Sequence, residues 1–267
     1  MRPAILFGAF DRHNLGDMLF PHVVQRLLGN RPTTLAGLVH ADLRACGGHR
    51  VMPVEEAIAS HGDVPLDLIH VGGEILTCSA WQAAIMSLPP PEALPLLRRP
   101  EPGLPQRRTW AVRRLGCSRL APYVLSADHL PPGSRSIFLG VGGTDLAEAP
   151  PDLRDEVLRA LAQASFTGVR DRRTLAALQS ASIPASLMPD TAVAAPELLA
   201  DDIARHARTG EPARVRDRFP RGYLAVQFSA DFGDDRTLAQ LTAQLDATAA
   251  RTNLGIVYLR TGTAPLA

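Results

Sequence analysis

Apolar residues in this chain gather in short unbroken runs, separated by longer stretches in which they recur at every third or fourth position. The first run, Ala4-Ile5-Leu6-Phe7, predicts a short buried strand. The spacing from Met18 through Leu28 predicts a helix directly after it. Thr33 to Val39 and Arg50 to Val54 give two more short strands, the second followed by a small helix over Glu55 to Ser60. Asp67 to Val71 predicts a strong strand, and Ser79 is placed to cap a helix running to Leu88. Pro89-Pro90-Pro91 stops that helix, so the Pro-, Arg- and Leu-rich sequence over 89–114 reads as a long loop or insertion. Strands then follow at Ser136–Val141, Ser165–Val169 and Ala185–Met188, with helices at Pro151–Ala164, Thr174–Ser180 and Leu198–Arg208. The Gly- and Arg-rich span from Thr209 to Arg221 reads as a linker. Beyond it come a strand at Tyr223–Phe228, a helix over about 238–251 and a strand at Gly255–Leu259.

Regular alternation of strand and helix predicts an α/β fold, a Rossmann-like open sheet, mainly parallel and flanked by helices on both faces. Residues 1–210 form the main domain, 211–222 the linker, and 223–267 the incomplete start of a second Rossmann-like domain. A strand, a helix and a strand do not bury a core of their own. They pack on the first domain, pack on another chain as in a homo-oligomer, or belong to a longer sequence.

Four polar turns fall at predicted strand C-termini: Asn14-Leu15-Gly16-Asp17, Gly72-Gly73-Glu74, Gly168-Val169-Arg170-Asp171 with Thr174, and Pro189-Asp190 with Ala192. In an open parallel sheet these edges face one crevice, where ligands bind. The first turn opens a helix, whose N-terminal N–H groups and dipole suit an anion. Gly72, Gly73, Gly142 and Gly143 supply turn geometry and close backbone approach. His13, in the opening turn, is the nearby acid–base candidate with a neutral-range pKa. His70 lies within an apolar strand and reads as a core histidine, and Cys78 as a small buried apolar group. Asn14 or Asp17 is placed to cap the helix after the first turn, with Asp17 alternatively a site carboxylate, and Asp190 orders its own turn through Asx hydrogen bonding. On the residues alone, Arg170 is either a site cation or half of a salt bridge to Asp171 or Asp145.

Composition narrows the chemistry. Of the 267 residues 46% are hydrophobic and 21% charged, with a formal net charge of +1, so nothing argues for nucleic acid as a partner. All 28 basic residues are arginine. That excludes Schiff-base chemistry, a P-loop lysine and a lysine general base, and it leaves anions to Arg, backbone N–H groups or a metal. Arg98, Arg99, Arg107, Arg108, Arg113 and Arg114 form either a solvated face or a lid over an anionic site. Cys46, Cys78 and Cys117 are widely spaced with no C-x-x-C pair, which fits a reducing cytoplasm. The eight histidines form no H-x-x-x-H pair, so no metal site is expected from local sequence. No apolar run approaches the ~20 residues of a membrane span, and the first residues carry no long apolar leader.

In order and spacing, the N-L-G-D turn, the V-G-G turn, the V-R-D-x-x-T strand end and the D-x-A strand end resemble the polysaccharide pyruvyl transferase family. The resemblance covers most of 1–195. It implies a two-domain fold like the B-type glycosyltransferases. It also implies transfer of a pyruvyl group from phosphoenolpyruvate to sugar hydroxyls of a cell-surface or exopolysaccharide, giving a ketal, with no further cofactor. Arg170 then holds the anionic donor, with Asp17 and His13 as chemical groups. Asn14, Gly16, Gly72, Gly73, Glu74, Gly142, Asp171 and Asp190 become substrate-binding positions. Glu74 stands where the family's usual third glycine would be, and no histidine lies beyond His206 to match the family's general acid. The alternatives are a non-catalytic Rossmann-like binding module and another nucleotide-sugar-dependent glycosyltransferase.

Overall fold

A computed structural model describes residues 2–97, 103–228 and 234–262. The chain runs β1 (Ala4–Phe7), α1 (Leu15–Leu28), β2 (Thr33–Gly37), β3 (Ala41–Asp42), β4 (Arg50–Pro53), α2 (Val54–Ala59), β5 (Asp67–His70) and α3 (Ala80–Met86). It continues through α4 (Pro90–Leu97), α5 (Leu104–Leu115), β6 (Arg135–Val141), α6 (Pro151–Ala162), β7 (Phe166–Val169), α7 (Arg172–Ser180) and β8 (Ser186–Leu187). The last elements are α8 (Ala195–Leu198), α9 (Ala200–His206), α10 (Gly210–Arg218), β9 (Tyr223–Val226), α11 (Asp235–Thr252) and β10 (Gly255–Tyr258).

Eight strands form one sheet in the order β3-β4-β2-β1-β5-β6-β7-β8, parallel throughout except for the antiparallel β3–β4 pair. Every residue of β1 is fully buried, as a central strand covered on both faces must be. The two-residue period sorts its side chains. Ala4 and Leu6 join Phe20 and Val24 of α1 on one face, while Ile5 and Phe7 join Val54, Ala83, Ala111 and Val157 on the other. Helices therefore cover both faces, as expected of a Rossmann-like α/β sheet.

Two expectations are corrected. The 89–114 stretch is not a loop: it forms α4 and α5, while Arg98 and Arg99 lie outside the described residues. Pro90, Pro91 and Pro105 sit in first turns, where no helical N–H is lost. Ala111 and Leu115, one turn apart, are buried and give α5 its anchoring stripe. Likewise the 209–221 span is not an open linker, because 210–218 is the helix α10. It carries Pro212 in its first turn, Glu211 near its N-terminus and Arg216 and Arg218 near its C-terminus, in the sense the helix dipole favours.

The strands β9 and β10 pair in parallel as a separate two-stranded sheet, and α11 buries no residue. Just beyond β10 the chain reaches back to the main domain. Leu15 N–H donates to Thr261 O at 2.6 Å, and Asn14 and Gly262 form an antiparallel bridge. No helix among the described residues is long and apolar enough to cross a membrane.

Candidate functional site

The strand order reverses direction between β1 and β5, whose chain connections leave toward opposite edges of the sheet. Such a switch point opens a crevice at the strand C-termini. A crevice of about 390 Å³ lies there, within the ~300–1,000 Å³ range of small-molecule sites. From the turn after β1 come Arg12, Asn14, Gly16 and Asp17; from the turn after β5, Gly73, Glu74 and Cys78; from the ends of β7 and β8, Arg170 and Asp190.

Each wall has a local cause. Asn14 is extended (φ −138°, ψ 118°), and its Oδ1 accepts from Gly16 N–H at 3.0 Å and Asp17 N–H at 3.4 Å, capping α1. Gly72 and Gly73 take φ values of 134° and 90°, conformations that favour glycine. A Cβ on Gly73 would stand 3.1 Å from Asp17 Oδ1, so the turn also lies tight against the carboxylate. Thr191 Oγ donates to Val71 O at 3.1 Å and fastens the turn after β8 to the end of β5.

The charged groups form two linked sets. Arg170 Nη1 donates to Asp190 Oδ2 and its Nη2 to Glu74 Oε2, both at 2.8 Å. Asp190 also accepts from Ala192 N–H at 3.0 Å through its other oxygen, so it orders its turn and fixes Arg170 together. Burial works against charge on Arg170, but the bonds to Glu74 and Asp190 more than offset it and hold its pKa above the ordinary value. Arg12 Nη2 donates to Asp17 Oδ2 at 3.0 Å, its Nη1 meets Met86 Sδ, and its buried Nε has no hydrogen-bond partner. Desolvation raises the pKa of the buried Asp17 despite Arg12 and Arg170, and Asp190 pushes the same way. Burial thus favours the protonated form of Asp17.

Beneath this floor, Tyr123 O–H donates to Asp11 Oδ1 at 3.0 Å, and Asp11 Oδ2 accepts from Leu38 N–H at 2.6 Å and Val39 N–H at 3.2 Å. Burial raises the Asp11 pKa and pushes the Cys78 thiol up to about 12, so Cys78 is not an activated nucleophile. No protein-family model, no curated protein and no solved structure matches this chain. The chemistry of the crevice is therefore read from its own side chains.

Asn14, Gly16, Asp17, Gly73, Glu74, Arg170 and Asp190 are brought together as lining residues. His13, Gly72, Gly142 and Asp171 are not among them. Asp171 is corrected to a helix cap: its Oδ1 accepts from Thr174 N–H at 2.7 Å and its Oδ2 from Thr174 Oγ at 2.6 Å. Thr174 Oγ in turn accepts from Gly143 N–H at 2.9 Å, which sets the turn after β6. Gly142 serves space, since a Cβ there would overlap Glu74 Oε2 and Arg170 Nε. Neither Asp171 nor Asp145 pairs with Arg170; the partners are Glu74 and Asp190.

The expected anion site at the start of α1 is also corrected. Its first three N–H groups are taken, Leu15 by Thr261 O and Gly16 and Asp17 by the Asn14 side chain. Arg12 and Tyr123 were missed. Neither lies in a recognisable pattern, although Arg12 is the one arginine of the turn between β1 and α1. Among the described residues no group of three or more His, Cys, Asp or Glu is arranged to hold a metal ion.

Proposed function

We propose that the crevice is the donor side of a pyruvyl transferase-type site, taking phosphoenolpyruvate and passing its three-carbon unit to a glycan. The observation that carries this reading is the meeting of Arg170, Arg12 and a buried Asp17, whose pKa burial raises, at the switch point of the sheet. The planar forks of two arginines suit a carboxylate and a phosphate. Glu74 and Asp190 are resting counter-ions of Arg170 that an incoming anion displaces. Both are more than 30% exposed, so they can turn toward water when that happens.

The transfer assigns a role to each group. Asp17 gives a proton to the methylene carbon, and a sugar hydroxyl adds to the neighbouring carbon as its own proton passes to the vacated carboxylate. Phosphate then leaves, and a second hydroxyl closes the ketal as its proton goes to the departing phosphate. The products are a pyruvyl ketal and hydrogen phosphate, with no redox change. A neutral Asp17 also brings the crevice from a net charge of −1 to zero, since Arg12 and Arg170 face Asp17, Glu74 and Asp190. The fold implied is B-type glycosyltransferase-like, with 223–258 contributing to the second half.

One observation favours a second reading, a non-catalytic binding module: Arg170 is already neutralised twice and the start of α1 is occupied. Incubation with phosphoenolpyruvate and exopolysaccharide fragments separates the two. Release of inorganic phosphate with a new ketal methyl proton signal, lost in Asp17→Asn, supports the transferase. Intact phosphoenolpyruvate that also gives no thermal protection supports the module.

A further inference from the structure

A second cleft, of about 450 Å³, opens on the other side of the turn that carries Glu74. Trp81 and Gln82 at the start of α3, Arg108 of α5, and Asp145, Glu148 and Asp152 around the start of α6 line it. The segment after β5 serves both cavities: Gly73, Glu74 and Cys78 line the crevice, Thr77 and Ser79 the cleft. Glu74 Oε1 accepts from Thr144 N–H at 2.7 Å, and Leu76 N–H donates to Gly142 O at 3.1 Å.

The lining specifies the occupant. Trp81 packs edge-to-face on Trp110 with ring centroids 5.0 Å apart, so its ring is braced. Around it three arginines, Arg107, Arg108 and Arg173, balance the carboxylates of Asp145, Glu148 and Asp152: Arg108 pairs with Asp152 at 2.5 Å, and Arg173 reaches Asp145 at 3.5 Å and Glu148 at 3.6 Å. A polyanion gains no net attraction from such a rim. A neutral ring rich in hydroxyls gains a great deal. Its C–H face suits the indole, and vicinal hydroxyls donate to the carboxylates and accept from Arg108 and the Gln82 amide. Mostly apolar walls with a few convergent polar groups are the usual make-up of a small-molecule site.

We infer that this cleft is a subsite for a neutral hexopyranose unit of a glycan. It locates the acceptor of the proposed pyruvyl transfer and rests on that reading for its purpose, but the sugar binding is testable without donor chemistry. The two tryptophans of the chain, Trp81 and Trp110, are both at this place, so intrinsic fluorescence reports on it directly.

Titration of the full chain with neutral gluco-, galacto- and manno-oligosaccharides is expected to change the tryptophan emission saturably for at least one series. Measured by calorimetry, Trp81→Ala weakens that sugar by about tenfold or more, as expected for a central aromatic contact, while Trp81→Phe retains part of the affinity. Sugar binding without any phosphoenolpyruvate binding would keep the cleft and remove the pyruvyl reading. The inference is overturned if no series perturbs the wild-type emission. It is equally overturned if a Trp81→Ala protein with native circular dichroism binds as tightly as the wild type.

Discussion

His70 offers a perturbation whose size follows from its surroundings. The ring is fully buried at the end of β5, stacked on Phe138 with centroids 3.8 Å apart and edge-on to Phe7. Leu125 N–H donates to Nε2 at 3.1 Å, so Nε2 must be unprotonated, and Nδ1 faces Ile137 O at 3.2 Å as the donor. A second ring proton would point at a backbone N–H in an apolar core. Burial accordingly holds the ring pKa down to about 3. Because the folded value lies below the ordinary ~6.5, the unfolded chain binds the proton first, and stability falls as pH drops below ~6.5. Between pH 7.5 and pH 5 the loss from this one ring is about 2 kcal/mol, a figure set almost wholly by the unfolded pKa. His49, held down to about 4 by burial and by His22 beside it, acts in the same direction. Asp11 and Asp17, whose pKa values are raised, act in the opposite one. These contributions cancel when wild type and His70→Gln are compared, since Gln keeps a donor and an acceptor but does not titrate. Urea unfolding at the two pH values should show the wild type losing about 2 kcal/mol more than the variant. Equal losses in the two proteins would refute a buried neutral His70.

Three other outcomes follow from the structure. Asp67→Ala removes a fully buried carboxylate held by Arg31 and by Arg135, whose Nε and Nη2 donate at 2.7 Å, and should cost about 3 kcal/mol in urea unfolding. The cost sits near the low end for buried pairs because Arg135 is half exposed and turns to water. In the wild type this contribution is lost only in acid, as pH falls through ~3.8 and below, because the pKa of Asp67 is lowered in the fold. Gly73→Ala places a Cβ at φ 90° beside Asp17 and should cost about 1–3 kcal/mol in thermal unfolding while weakening any crevice ligand. The Leu15 amide, first in its helix and normally open to water, should exchange slowly because Thr261 O accepts from it; exchange at the free rate would mean that the contact does not form in solution.

The sheet was legible where physics leaves a strong local trace. Strands β1 and β5 are buried on both faces, and the unbroken apolar run Ala4–Phe7 and the largely apolar Asp67–Val71 announce them. The capped start of α3, at Ser79, was equally plain, whereas the cap of α1 stood open between Asn14 and Asp17 and falls to Asn14. Helices α4, α5 and α10 were hidden by prolines that look like breakers but, apart from Pro95 within α4, occupy first turns, and by arginines whose anchoring partners are remote in sequence. Arg108 pairs with Asp152, and Arg114 donates to Ser87 O at 2.9 Å. Within the crevice, the turn residues could be gathered from the rule that strand C-termini share one edge. The pairing among them could not, because Glu74 and Arg170 stand 96 residues apart. Arg12 owes its place to Asp17 and to Met86 of α3, and Tyr123 owes its place to Asp11; neither contact has a sequence signature. The occupied start of α1 was also beyond reach, since its carbonyl comes from Thr261.

The central claim is that the crevice holds phosphoenolpyruvate through Arg170. Isothermal calorimetry of the wild type and Arg170→Ala, both at neutral pH and low salt, tests it directly. The account predicts one bound phosphoenolpyruvate per chain, with binding lost in the variant, and a matching stabilisation of about 2.7 kcal/mol when the free ligand reaches 100 times its Kd. No binding to the wild type, or equal binding to Arg170→Ala, would contradict it.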